Sequence, residues 1–501
     1  MKSIYKIVSI AICMSCLSCS DDFLDKSDPT RLNAGTFYQT EEQFDQAVNA
    51  LYGGLQTIIS NQWQFGEFIS DNTTLHYNVE NRGNGPGLET LEYWQYIEGT
   101  SNVQSLYESL YQQLVNVNTV LQRLPGADIN ENAKSGFEGQ AKFIRAYLYF
   151  QLVQHFGDVI LLTEPIDEPS VAWTYARSPA SDVYAQIESD LTDAASVLPP
   201  TLDASDIGRV SKGAALSLLG KVYLTRKNYG SAVTTLQQVL TLGYDLLDDY
   251  YDVFDPDMKN HAESIFDVQF QGDNDLGEQS GFTYNFYPRQ SDGLVIPFPG
   301  VSGGGWNIPS LDMIAAYEED DLRKDVSLAE GYFDQDDNWV AIPFIKKYYH
   351  DHSIQDRPDD NWPVIRYSDV LLMLAEAINE ESGPGSAYTH LNKVRKRAGL
   401  DELDGLTKES FRTAVLKERR VELAFENHRW FDLKRTHTPD ELATFLNAYG
   451  EIEKANPTTS RGGFGFTSAE YSFQPHEYLF PIPASERLIN KELTQNQGYQ
   501  Q

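Results

Sequence analysis

Carboxylates are the commonest groups in this chain that could do chemistry, and thiols are confined to its head. Acidic side chains number 73 in 501 residues, against 39 basic ones and nine histidines, while the three cysteines are Cys13, Cys16 and Cys19. With so many acids, carboxylate pairs at the separations used in glycoside hydrolysis arise by chance. Nothing in the sequence isolates one acid with a raised pKa beside one that stays ionised. There is no His-Glu-x-x-His motif and no cysteine nucleophile beyond the head, so the sequence points away from an enzyme. Hard oxygens cluster at Asp273-Asn274-Asp275 and Asp334-Gln335-Asp336-Asp337. They offer oxygens suited to a structural calcium ion, but they lack the glycine placement and distal Glu of an EF-hand, so a solvated turn is the preferred reading and no cofactor is expected. His350 and His352, in Tyr349-His350-Asp351-His352, could suggest zinc, but a surface loop is the preferred reading.

The head explains the cysteines. Lys2 and Lys6 precede an apolar run from Ile7 to Leu17, too short to span a bilayer, and a small residue stands before Cys19. This predicts a secretory signal over residues 1–18 with Cys19 as the first mature residue and the site of lipidation. Cleavage before Cys16 is the competing possibility, because Cys16 stands where Leu is usual. Two or three acyl chains on Cys19 would hold the protein on a membrane and leave no free thiol. The formal net charge of −34 repels nucleic acid and anionic headgroups, so attachment has to come from lipid and a partner.

The mature chain, 19–501, reads as a single unit. Helical periodicity dominates about 41–243 and 366–436, Gly, Pro, Asp and aromatics fill the intervening 244–364, and 437–501 forms a C-terminal segment. Loops that long inside a compact protein are usually functional. Leu216, Leu219, Gly220, Tyr223, Ala232, Leu236 and Val239 fall where a tetratricopeptide repeat places its small and large residues. Leu371, Leu374, Ala375, Ile378, Ala387, Leu391 and Val394 repeat the same offsets. The fold class is therefore mainly α, with helix-pair repeats and a loop-rich lobe carrying short strands.

Four blocks resemble the SusD/RagB family of outer-membrane nutrient-binding lipoproteins. They are Arg145-Ala146-Tyr147-Leu148-Tyr149-Phe150 with Phe156-Gly157-Asp158-Val159, then Ile365 to Ala377, then Glu418 to Glu426 with Arg429-Trp430-Phe431-Asp432-Leu433. Leu479-Phe480-Pro481-Ile482-Pro483 with Gln495-Asn496-Gln497-Gly498-Tyr499 completes the set. Ser368 and Gln497 depart from the commoner Ala and Pro. The resemblance implies four tetratricopeptide-type helix pairs and a lipid-anchored protein of the outer membrane, facing the cell exterior. It would capture oligosaccharide without catalysis, for polysaccharide utilisation, and hand it to a SusC-like TonB-dependent transporter. The acidic Ser20-Asp21-Asp22 resembles the surface-export signal of such lipoproteins. The RagB branch of the family implies peptide capture as the alternative; a glycosidase or a protein scaffold ranks lower.

Within the third block, Glu418, Arg419, Arg420, Glu422 and Glu426 lie three and four apart, which predicts ion pairs along one helix continued by Arg429 with Asp432. Sugar recognition needs flat apolar faces and planar polar groups. Two loop regions hold both: Asp71 to Trp94, and Tyr284 and Tyr287 to Trp306. In starch-binding relatives an aromatic arc is built from these two regions, which implies Trp94, Tyr284 and Trp306 as the arc and Asp71 and Arg82 as its polar partners. Three glycines before Trp306 suggest an indole presented at the surface on a permissive backbone.

Overall fold

The computed structural model describes residues 37–500, apart from 80, 81, 84, 167, 290 and 297. The signal segment and Cys19 lie outside the described residues.

Helix α1 (Glu41–Gly66) starts at a capping box in which Thr40 and Gln43 satisfy each other's backbone amides, and it buries Phe44, Val48, Leu51, Leu55 and Ile59 at intervals of three and four. The frame continues through α2 (Ser101–Arg123), α3 (Glu131–Phe156), α4 (Ala180–Val197), α5 (Lys212–Thr225) and α6 (Tyr229–Val239). After the loop-rich lobe come α7 (Tyr367–Ser382), α8 (Tyr388–Arg397), α9 (Lys408–Glu422), α10 (Arg429–Thr436) and α11 (Pro439–Ala455). From α1 to α8 each helix packs on the next, and α6 packs directly on α7, so the lobe between them does not interrupt the helical stack. The expected mainly helical fold of paired repeats is what the chain adopts.

The repeat residues sit where the spacing puts them. Ala232, Leu236 and Val239 in one copy, and Leu374, Ala375, Ala387, Leu391 and Val394 in the other, are fully buried. Gly220 is small because α6 leaves no room: a methyl group there would lie 2.4 Å from Leu236 Cδ2.

The lobe is tied to the frame by short antiparallel ladders. Strand β1 (Thr73–Thr74) pairs with β3 (Ile308–Pro309), and β2 (Ser264–Val268) with β8 (Trp362–Arg366). Farther out β4 (Leu328–Ala329) pairs with β7 (Phe344–Ile345), and β5 (Tyr332–Phe333) with β6 (Trp339–Val340).

Under the lobe lies a buried charge network, and here the expected pairing along one helix is corrected. Glu418 meets Arg323 at 2.6 Å and Arg395 at 2.9 Å; Glu422 meets Arg323, Arg366 and Arg397; Glu426 meets Arg366 and Lys347. Arg419 bridges Asp369 and Asp432, and Arg429 reaches Asp71, not Asp432. The partners come from different elements because Glu418 and Glu422, four apart on one buried face of α9, set like charges side by side, so their cations have to come from the opposing wall. Burial alone would raise the Glu422 carboxyl, but Arg397, Arg366 and Arg323 outweigh it and hold the group well below the usual carboxylate range.

Candidate functional site

The two loop regions singled out by composition meet in space. Their contact is the β1–β3 ladder, reinforced by a Thr73 hydroxyl bond to Asn307 Oδ1 at 2.7 Å. Beyond the ladder, His76 N–H donates to the Gly305 carbonyl at 2.8 Å, and Arg289 Nη1 reaches the Arg82 carbonyl at 3.5 Å.

Of the five expected side chains, two form the floor and three reach the surface. Asp71 is 1% exposed and its two oxygens each accept from Arg429 at 2.8 Å, with Arg420 at 3.0 Å. Burial would raise its pKa, but Arg420 and Arg429 hold it well below the normal range. Asp71 is therefore corrected from a ligand partner to an internal strut. Trp94 is also corrected: it is 1% exposed, donates Nε1–H to the Ile69 carbonyl at 2.9 Å, and packs edge-on to Tyr471 and Phe473. Its left-handed backbone, φ 56°, follows the end of the short helix Gly85–Glu92.

Arg82, Tyr284 and Trp306 remain partly exposed. Arg82 pairs with Glu89 and lies 3.7 Å from the Tyr77 ring centre. The Tyr284 hydroxyl sits 2.7 Å from His352 Nε2 and accepts from Asp356 N–H at 3.0 Å. Trp306 is less free than its three glycines suggest. Gly303, Gly304, Gly305 and Trp306 each donate a backbone bond to the Tyr284–Pro288 segment. A methyl group on Gly303 would fall 2.2 Å from the Tyr287 carbonyl oxygen, so the glycines allow a tight clasp that fixes Trp306 in place. The Trp306 Nε1–H is buried without an acceptor.

Other residues at this place were not singled out from the sequence. His76, Tyr77 and Arg289 belong to the same loops; Arg461 and Phe464 come from the C-terminal segment. Arg461 lies 4.4 Å from the Tyr77 ring centre and 3.9 Å from that of Phe466, and Phe464 is 61% exposed. The signal was the Arg461-Gly462-Gly463-Phe464-Gly465-Phe466 run, which shares the Gly, Arg and aromatic texture of the two loop regions.

Among the acids with raised pKa values, Glu67 and Glu92 are enclosed in the protein, whereas Asp267, pushed up to about 6 chiefly by burial, lines an open pocket beside His261 and Tyr244. Burial pushes Glu67 up to about 7 and Glu92 up to about 8. Glu67 accepts from Asn72 and the Phe425 amide, and Glu92 from the hydroxyls of Thr74 and Tyr471. Gly300-Val301-Ser302-Gly303-Gly304 spells Gly-x-Ser-x-Gly, but it runs as loop, not as a strand-to-helix elbow, and Ser302 Oγ contacts Asp292. The acidic turns are occupied by backbone amides: Asp273 accepts from Ser353 and Ile354 of another loop, and Asp334 from Asp336 and Asn338 of its own turn. His350 pairs with Asp360 and His352 with Tyr284. Among the described residues no group of three or more His, Cys, Asp or Glu side chains is placed to hold a metal ion.

Two family models match the chain in succession, one described as "Starch-binding associating with outer membrane" over residues 22–224 and one as "SusD family" over 330–499. A SusD-like protein of Formosa agariphila is 27% identical, with 98% of this chain and 99% of that protein covered. A solved structure titled as a laminarin-binding SusD-like protein is 26% identical and superposes with a TM-score of 0.73, covering 92% of this chain and all of that one. A SusD homolog from Bacteroides thetaiotaomicron, 24% identical, shares the fold at a TM-score of 0.77 over 94% of this chain and 100% of its own. With the four sequence blocks, the helix-pair frame and these matches in agreement, the chain belongs to the SusD/RagB family.

Proposed function

We propose that this protein is a non-catalytic, cell-surface glycan-binding protein that captures oligosaccharides and delivers them to a SusC-like TonB-dependent transporter. The observation that carries this is the meeting of two distant loop regions with Trp306, Tyr284 and Arg82 partly open to solvent. Flat rings take the C–H face of a sugar while a planar guanidinium takes hydroxyls in pairs. The starch-binding description of one matching family model and the laminarin-binding neighbour support the same ligand class. Binding without turnover is supported by the fate of Glu67 and Glu92, which are sealed inside the protein and hydrogen-bonded there.

Attachment to the outer membrane is assigned to acyl chains on Cys19, with the protein facing outward. Among the described residues no helix is long and apolar enough to cross a membrane. Cys19→Ala should release the protein from the membrane fraction, and attachment persisting in cells without the partner transporter would contradict the anchor.

Calorimetric titration of the mature protein against an oligosaccharide panel tests the binding role. The expected result is saturable binding, with no new reducing ends after prolonged incubation. Cleavage that one carboxylate substitution abolishes would make the protein an enzyme, and binding of peptides with no glycan bound would favour the peptide-capturing alternative.

A further inference from the structure

Arg289 lies in the joined loops and meets no acid among the described residues. Its half-buried guanidinium makes one long contact, to the Arg82 carbonyl at 3.5 Å. Burial and then the Arg82 charge push its pKa down, and no carboxylate of the described residues pulls it back. The neighbouring arginines are compensated, Arg82 by Glu89 and Arg461 by Glu470. In a chain with 73 acids and 39 bases, a partly buried cation that meets no carboxylate among the described residues is available to an incoming anion.

Other unsatisfied groups cluster around it. Gly305 holds His76 and Arg289 together: a methyl group on it would lie 3.1 Å from His76 Cβ and 3.2 Å from Arg289 Cβ. His76 Nδ1 and the Nε1–H of the next residue, Trp306, are buried without partners. Burial and the Arg289 charge push the His76 pKa down to about 4, so its ring is neutral at physiological pH. The place therefore offers a guanidinium fork and an indole donor beside a stacking face, with no anion supplied by the described residues.

We infer that this loop site recognises an anionic oligosaccharide, one bearing a carboxylate or sulfate group, with Arg289 as the residue that takes the anion. The inference rests on the proposed glycan-binding role. A planar guanidinium matches the paired oxygens of either group. The overall negative charge of the protein repels such a ligand at long range, which makes a local unpaired cation necessary for holding one.

The test is a glycan array of uronate-containing and sulfated oligosaccharides with their carboxyl-reduced and desulfated counterparts, followed by calorimetry on the members retained. Acidic members should bind about tenfold or more tightly than their neutral counterparts, and added NaCl should weaken them. The carboxylate and sulfate arms distinguish the source of the anion. R289Q should abolish the preference and R289K, which keeps the charge but loses the planar fork, should keep only part of it, both with unchanged thermal unfolding. Equal binding of neutral members, or a charge preference that R289Q leaves intact, would overturn the inference and leave the glycan-binding role standing. Retention of no glycan in either form would overturn both.

Discussion

Arg366 and Arg289 are both withdrawn from water, yet their surroundings differ completely. Arg366, in the hallmark block, is 2% exposed and meets Glu263 at 2.6 Å, Glu422 at 2.9 Å and Glu426 at 2.7 Å. Arg289, in the loop lobe, meets no carboxylate among the described residues. In the block the opposing charges are delivered by packed elements, so Arg366 and its carboxylates are used in holding the frame together, although the nearby Asn427 side chain and His428 Nε2 are buried without partners. In the lobe the loops clasp one another through backbone bonds, and side-chain donors are left over. Conspicuous charged motifs therefore mark the frame of this fold, and the candidate site differs in holding a cation with no carboxylate among the described residues.

The largest effect should come from breaking the network. Arg366→Met leaves three buried carboxylates without their shared cation, and removal of one partner from a buried ion pair costs about 3–5 kcal/mol. Urea unfolding should show a loss of that size; a loss below about 1 kcal/mol would mean that the block is not held by its charges.

A smaller effect separates a neutral buried acid from the ionised ones. The folded protein keeps the Glu92 proton up to about pH 8, whereas the unfolded chain releases it from about pH 4.5. This group's contribution to stability is thus fully present below pH 4.5 and is lost as the pH rises to about 8. Glu92→Gln, which never ionises, should gain on the parent across that window by on the order of a few kcal/mol. Paired thermal melts at the two ends check it, and a difference that does not change with pH would place a charged carboxylate in the core.

Gly220→Leu probes the helical frame without touching a charge. The new side chain collides with Leu236, and such overpacking costs about 1–3 kcal/mol. Unchanged stability would mean that α5 and α6 are not packed at the repeat crossing.

Legibility in the sequence followed the range of the interactions. The repeats could be read because Gly220 and Ala232, or Ala375 and Ala387, carry the constraint at fixed short offsets. The two loop regions could be read from their texture, and they do meet. Asp71 and Trp94 could not, because what buries them arrives from far along the chain: Arg429 lies 358 residues beyond Asp71, and Trp94 is covered by Tyr471 and Phe473. Likewise the third block's pairs could not be assigned from helical spacing, since Glu418 and Arg323 are 95 residues apart. Arg289 gives no sequence signal at all; its significance is the lack of a partner, which only the fold reveals.

The central claim, that ligand is held by the loops and not by the hallmark helices, is tested most directly by calorimetric titration of the Trp306→Ala protein with an oligosaccharide that the unmodified protein binds. Loss of a stacking hot-spot aromatic costs on the order of 2 kcal/mol or more. Affinity should therefore fall about thirtyfold while the protein still unfolds in one cooperative transition, at most modestly destabilised by the packing Trp306 gives up. Undiminished affinity in this variant, with binding lost instead on a folded substitution within Glu418–Asp432, would contradict the account.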